Sequence, residues 1–243
     1  MSLQFIIGSS GIGKTHYACE QIIRESMENP QHLYYIIVPE QFTMQTQKNV
    51  VEMHPGKGIL NIDVLSFQRL AYRIFEETGG AREVLLDDTG KSMVLQKLVQ
   101  QHRKNLPYLG SQMNKPGYLD EVKSLISEFM QYDIREEELQ DMLGKTGEDS
   151  LLHMKMQDVG VLYQAFLQYL EGHYMTGEGV MDALKKAIPF SDKLKKSVLL
   201  LDGFTGFTPV QMNVIRELLN VCDKVLVTVT MDAGENPLQL GKP

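Results

Sequence analysis

The residues with the clearest chemical content lie near the start of the chain. Gly8-Ser9-Ser10-Gly11-Ile12-Gly13-Lys14-Thr15 fits G-x-x-x-x-G-K-[ST] and stands between the apolar run Phe5-Ile6-Ile7 and a stretch of helical character. Gly8, Gly11 and Gly13 let such a loop curl with its backbone N–H groups inward, where a phosphate would rest at the N-terminus of the following helix. The motif predicts a site for ATP formed by Gly8 to Thr15, with Lys14 reaching the β- and γ-phosphates and Thr15 holding Mg²⁺. A second stretch, Val198-Leu199-Leu200-Leu201-Asp202, is an apolar strand that ends in a carboxylate. From there Asp202 would serve the same Mg²⁺, largely through water. The next residue is Gly203, at the position where hydrolysing ATPases often carry a glutamate that orients the attacking water. Glycine has no side chain to do this, so ATP–Mg binding with slow or absent hydrolysis is expected, and no catalytic residue is assigned. Gly144-Lys145-Thr146 lacks the preceding glycine and the leading strand, and is set aside as a second phosphate site.

The elements that would hold these residues follow from periodicity. Residues 3–7 read as a short buried strand and 14–28 as its helix, with Ala18, Ile22 and Ile23 inward. Leu33 to Val38 is a continuous apolar run stopped by Pro39, as in a strand buried on both faces of a parallel sheet. A helix from about Thr43 to Met53, a strand over Ile62 to Leu65 and a helix from Phe67 to Glu77 complete a β-α-β-α-β-α pattern. Helical spacing without any strand pattern then covers 88–104, 117–131, 135–143, 153–172 and 178–187, with loops at 114–117 and 144–147. The sheet resumes at Val198; a helix begins at Pro209, a strand runs from Lys224 to Thr230, and 234–243 has no pattern. The expected fold is α/β, a P-loop NTPase (RecA-like) parallel sheet flanked by helices with an inserted all-helical subdomain. The sheet domain would comprise 1–84 and 190–243, and the insertion 85–189.

Composition narrows the class. At 243 residues, 43% hydrophobic and 23% charged, the chain is long enough for one large globular domain or two small ones. No apolar run approaches a membrane span and the first residues lack the basic start of a signal peptide, so a cytoplasmic protein is expected, without a membrane partner. Two cysteines and six histidines form no metal-ligand spacing. A net charge of −7 argues against a broad basic face for DNA, so any nucleic-acid contact is local or shared with a partner.

Four segments together resemble one family. They are Phe5 to Thr15, Ile37-Val38-Pro39-Glu40-Gln41-Phe42-Thr43-Met44-Gln45, Val64-Leu65-Ser66-Phe67-Gln68-Arg69-Leu70-Ala71-Tyr72, and Leu201 to Gln211. In order and spacing they are similar to motifs I, Ia, Ib and II of superfamily-one helicases of the UvrD/Rep kind. More closely, they resemble the N-terminal part of the B subunit of bacterial ATP-dependent helicase/nuclease complexes, the AddB/RexB type. The resemblance covers essentially the whole chain. It implies a heterodimer with an A-type helicase/nuclease subunit that processes double-stranded DNA ends for recombinational repair. It also implies a helicase-like half that reads a Chi-type sequence in single-stranded DNA rather than driving translocation. Gln41, Thr43, Phe67, Arg69, Tyr72 and Phe207 match motif positions that would face that strand: the aromatic rings suit stacking, Gln41 and Thr43 suit base edges, and Arg69 suits phosphate or guanine. Tyr72 stands where relatives often carry Trp. The family's nuclease with its iron–sulfur cluster, and a second RecA-like domain, have no counterpart in these residues. The chain is therefore expected to be part of a longer protein, without helicase or nuclease activity of its own.

Two other readings remain open on the residues alone. An N-terminal P-loop also begins small-molecule and nucleoside kinases, although no D-x-D-like pair follows the second strand and no arginine-rich lid occurs late in the chain. A scaffold domain with a vestigial P-loop is the third.

Overall fold

The computed structural model describes residues 2–80, 83–112, 115, 117–147 and 150–231. The expected loop residues Asn114 and Pro116 and the patternless tail 234–243 lie outside them. The chain divides into two compact units, one of 1–80, 183–207 and 211–243, the other of 81–182 with 208–210.

The chain opens with β1 (Ser2–Gly8), α1 (Lys14–Glu28), β2 (Leu33–Ile37), α2 (Thr43–Met53), β3 (Ile62–Leu65) and α3 (Phe67–Thr78). Its middle contains β4 (Val84–Leu86), α4 (Asp88–His102), α5 (Leu109–Gln112), α6 (Tyr118–Gln131), α7 (Glu136–Gly144), α8 (Leu151–Leu170), β5 (Tyr174–Thr176) and α9 (Gly179–Ala187). It closes with α10 (Asp192–Lys195), β6 (Ser197–Leu201), α11 (Pro209–Val221) and β7 (Lys224–Thr230).

In the first unit all five strands are parallel, in the order β1-β7-β6-β2-β3. Because side chains alternate along a strand, Tyr34, Ile36 and Val38, with Val198, Leu200 and Leu226, fall on one face. They form a single core with Ala18, Cys19, Ile22 and Ile23 of α1 and Val50 of α2. The chain passes from β1 to β2 to β3 in one direction across the sheet and from β6 to β7 in the other, so right-handed crossovers put α1 and α2 on that face and α11 on the opposite one. Where the direction reverses, a crevice opens beyond the carboxyl ends of the strands, the position at which such sheets bind ligands.

α3 shows how locally the sequence sets an element. Ser66 caps it, its hydroxyl accepting from the Arg69 N–H at 3.3 Å, and Gly79 ends it at φ 85°. Between them Phe67, Leu70, Ala71, Ile74 and Phe75 recur at helical spacing and are all buried. Each large side chain in that stripe contributes about 2 kcal/mol by leaving water.

Two expectations need correction. β1 is not a buried strand: it pairs with β7 on one side and forms the edge of the sheet, leaving Leu3, Phe5 and Ile7 exposed at 42%, 58% and 46%. Nor is the second unit all-helical, because β4 and β5 pair in parallel through Val84 with Tyr174, Leu85 with Met175 and Leu86 with Thr176. Three-residue strands are too short to show a period. The unit's core is otherwise helical, with Val94, Leu95 and Leu98 of α4, Ile126 and Phe129 of α6, and Leu162 and Phe166 of α8.

Inside this second unit, buried Lys91 is joined at 2.9 Å to half-buried Glu178, and the Lys91 ammonium also donates to Ser127. Burial pushes the Glu178 carboxyl up, but hydrogen bonds from Lys91 and from nearby backbone, together with the lysine charge, outweigh it and hold the pKa below the usual range. Among the described residues no helix is long and apolar enough to cross a membrane.

Candidate functional site

The glycine-rich loop connects β1 to α1 at the carboxyl end of the sheet. Gly13 is the N-cap of α1 at φ 96°, a left-handed conformation that a Cβ disfavours, and no side chain caps the helix there. The first N–H groups of a helix have no partner within it, so this end can receive an anion. Lys14 lies back along the loop, its ammonium donating to the Ser9 carbonyl at 2.8 Å.

Across the crevice, β6 ends at Leu201 and delivers Asp202, whose backbone N–H donates to the Ile37 carbonyl at 3.0 Å. The side chain is 5% exposed. Its Oδ1 accepts from the Thr15 hydroxyl at 3.0 Å and from the Thr228 hydroxyl at 2.6 Å. The sequence motifs therefore meet in space: the last residue of the loop touches the carboxylate at the end of the fourth strand of the expected sheet. A cavity of about 710 Å³ lies there, lined by Gly11, Gly13, Lys14, Thr15, Asp202, Gly203, Thr228 and Thr230 among others. Beneath it, burial and the nearby Asp202 carboxylate push the Cys19 thiol up to about 12. Cys19 is therefore a neutral wall of the cavity rather than a nucleophile. Among the described residues no group of three or more His, Cys, Asp or Glu could hold a metal by itself. A cation here would need oxygen atoms from a bound ligand or water beside Thr15 and Asp202.

Thr228 escaped the sequence reading. The signal was present: alternation puts it on the same strand face as Leu226, two residues nearer the loop.

The six candidate strand-facing residues do not share one kind of surface. Gln41, Arg69 and Tyr72 are exposed, and the Arg69 Nε donates to Glu40 at 3.1 Å. Thr43 is buried, its hydroxyl donating to the Glu40 carbonyl at 2.9 Å. Phe67 is 5% exposed. Its ring lies 5.6 Å from that of Phe204 and 6.4 Å from that of Phe207, which is half-buried. Beside Tyr72, a further aromatic side chain reaches solvent: Phe42, 48% exposed, whose ring approaches Gly203. It sits between two of the residues singled out from sequence.

Residues 5–240 match the family model described as "ADDB, N-terminal". The chain belongs to this family. Among curated proteins it is 46% identical over 235 residues to the B subunit of the ATP-dependent helicase/deoxyribonuclease of Lachnoclostridium phytofermentans, covering 97% of this chain and 20% of that protein. The proteins of the same name from Alkaliphilus metalliredigens and Desulforamulus reducens are each 33% identical, over 232 and 246 residues, or 96% and 100% of this chain. The chain spans about a fifth of the length of the curated relatives it matches. The span matched by the family model includes both the glycine-rich loop and the strand that delivers Asp202.

Proposed function

We propose that this chain is the ATP-binding, DNA-contacting, helicase-like N-terminal part of the B subunit of a helicase/deoxyribonuclease. Its fold is then that of a P-loop NTPase, and its work is done beside a second, A-type helicase/nuclease subunit on DNA ends during recombinational repair, in the cytoplasm. The observation that carries the nucleotide reading is the hydrogen bond between Thr15 and Asp202, since it brings a hydroxyl and a carboxylate to one point beside a glycine-rich helix start.

The residues present fit ATP with Mg²⁺. Gly11 and Gly13 have φ of +77° and +96°, left-handed conformations that suit the tight curl of a phosphate-binding loop, and both line the cavity. The cavity falls within the roughly 300–1,000 Å³ typical of small-molecule sites. Lys14 would exchange the Ser9 carbonyl for phosphate oxygens, and Thr15 with Asp202 would hold the cation. Bound Mg²⁺ supplies charge neutralisation of the phosphates. At Gly203 no side chain is available to orient water, so little or no hydrolysis is expected of the chain alone.

For the strand, Phe42 offers an exposed ring, Gln41 an amide and Arg69 a guanidinium that can leave Glu40 for a phosphate. Phe67 and Thr43 would act by supporting that surface. Reading of a Chi-type sequence in the passing strand is the role this surface would serve.

Melting the chain with and without millimolar Mg-ATP tests the reading. Ligand at 100 times its dissociation constant adds about 2.7 kcal/mol. Lys14→Ala should abolish the shift, and no shift in the wild type overturns the nucleotide site. Fluorescence anisotropy with single-stranded DNA at two salt concentrations tests the second half, where Phe42→Ala and Arg69→Ala should weaken binding; binding that neither variant changes overturns the proposed surface.

A further inference from the structure

Thr228 has no part in the reading above, on which the following inference rests. It stands in β7, between the strand that carries the loop and the strand that ends at Asp202, opposite Ile6 in the parallel register. Its hydroxyl is closer to Asp202 Oδ1 than that of Thr15, 2.6 Å against 3.0 Å. Two donors thus converge on one oxygen of a buried carboxylate, and among the described residues no cation forms an ion pair with it.

The two donors differ in what holds them. Thr15 belongs to the first turn of α1, and its oxygen would also serve the cation. Thr228 lies in a strand hydrogen-bonded on both sides, and a β-branched side chain there has few χ1 choices, so the sheet fixes its hydroxyl. We propose that Thr228 is a positioning residue for Asp202: it holds the carboxylate toward the cation site, so that the gain in nucleotide affinity on adding Mg²⁺ runs through its hydroxyl.

The test is fluorescence titration of the chain with N-methylanthraniloyl-ATP, in Mg²⁺ and in EDTA, for wild type, Thr228→Val and Thr228→Ser. Valine keeps the shape and removes the donor. It should cut the Mg²⁺-dependent gain about 10- to 150-fold, the range expected for one lost hydrogen bond to a charged group, while affinity in EDTA stays at the wild-type value. Serine should retain the gain. A valine variant with the full Mg²⁺ gain overturns the proposal, and so does equal weakening in both buffers or a serine variant as poor as valine, each of which points to packing alone. Should the valine variant not fold, Thr228→Cys, with a weak donor of similar size, carries the same comparison. No binding by the wild type in either buffer removes the ATP reading itself and this inference with it.

Discussion

Thr15 and Asp202, 187 positions apart in the chain, share a hydrogen bond of 3.0 Å at the carboxyl end of a parallel sheet. Neither residue is specified by its immediate neighbours alone. The bond exists because β7 stands next to β1 in the sheet and β6 next to β7, and their carboxyl ends therefore open on the same crevice as the loop.

Phe67 is predicted to matter first for stability. It is buried against Phe204 and Phe207, so Phe67→Ala should cost about 3–5 kcal/mol in urea unfolding. Arg69→Ala, which breaks an exposed pair with Glu40, should change stability by about 0.5 kcal/mol or less. A Phe67→Ala protein as stable as the wild type would mean that the aromatic group is not a packed unit.

Both cysteines should be silent in the folded chain. Burial, with Asp202 beside it, pushes the Cys19 thiol up to about 12; burial, partly offset by a hydrogen bond from Ser197 and aided by Asp223, pushes the Cys222 thiol up to about 11. At about pH 8 iodoacetamide should label neither, while both react once the chain is unfolded in guanidinium. Mass spectrometry reads the outcome, and labelling of native Cys19 would show that the cavity wall opens.

The Lys91–Glu178 pair should make the second unit sensitive to acid. The folded pKa of Glu178 lies below its ordinary value of 4.5, so its contribution is complete above 4.5 and is lost as pH falls through the folded value. Glu178→Gln, which leaves the buried Lys91 ammonium only the exposed Asp88 carboxylate at 3.5 Å, should lose up to about 3 kcal/mol at neutral pH. The difference from wild type should shrink in acid. A difference that grows with falling pH would contradict the sign.

Much of the sheet was legible because its signals are local. Lys14 to Glu28 and Lys224 to Thr230 have the bounds expected from periodicity. The glycine-rich motif and Asp202 were legible for the same reason, since each is a short pattern attached to an apolar strand. What was not legible depends on neighbours far along the chain. β1 has the apolar residues of a buried strand, yet its exposure follows from its place at the sheet edge. Val84 to Leu86 becomes a strand only beside Tyr174 to Thr176. Phe67 has the same side chain whether it stacks on a base or fills a core, and its burial is decided by Phe204 and Phe207. Thr228 reads as one more residue of a β-branched strand until Asp202 is placed beside it.

The strand order also dictates a timetable. Among the described residues β1 pairs with β7 alone, so the first of the five strands to leave the ribosome has no neighbour until the last of the five emerges. At about 5–20 residues per second, the stretch from Ser2 to its partner Lys224 takes roughly 10–45 seconds to synthesise. Throughout that interval the nascent segment carries Phe5, Ile6 and Ile7 with no sheet to join. Its apolar residues stay open to non-native contacts until β7 has been made.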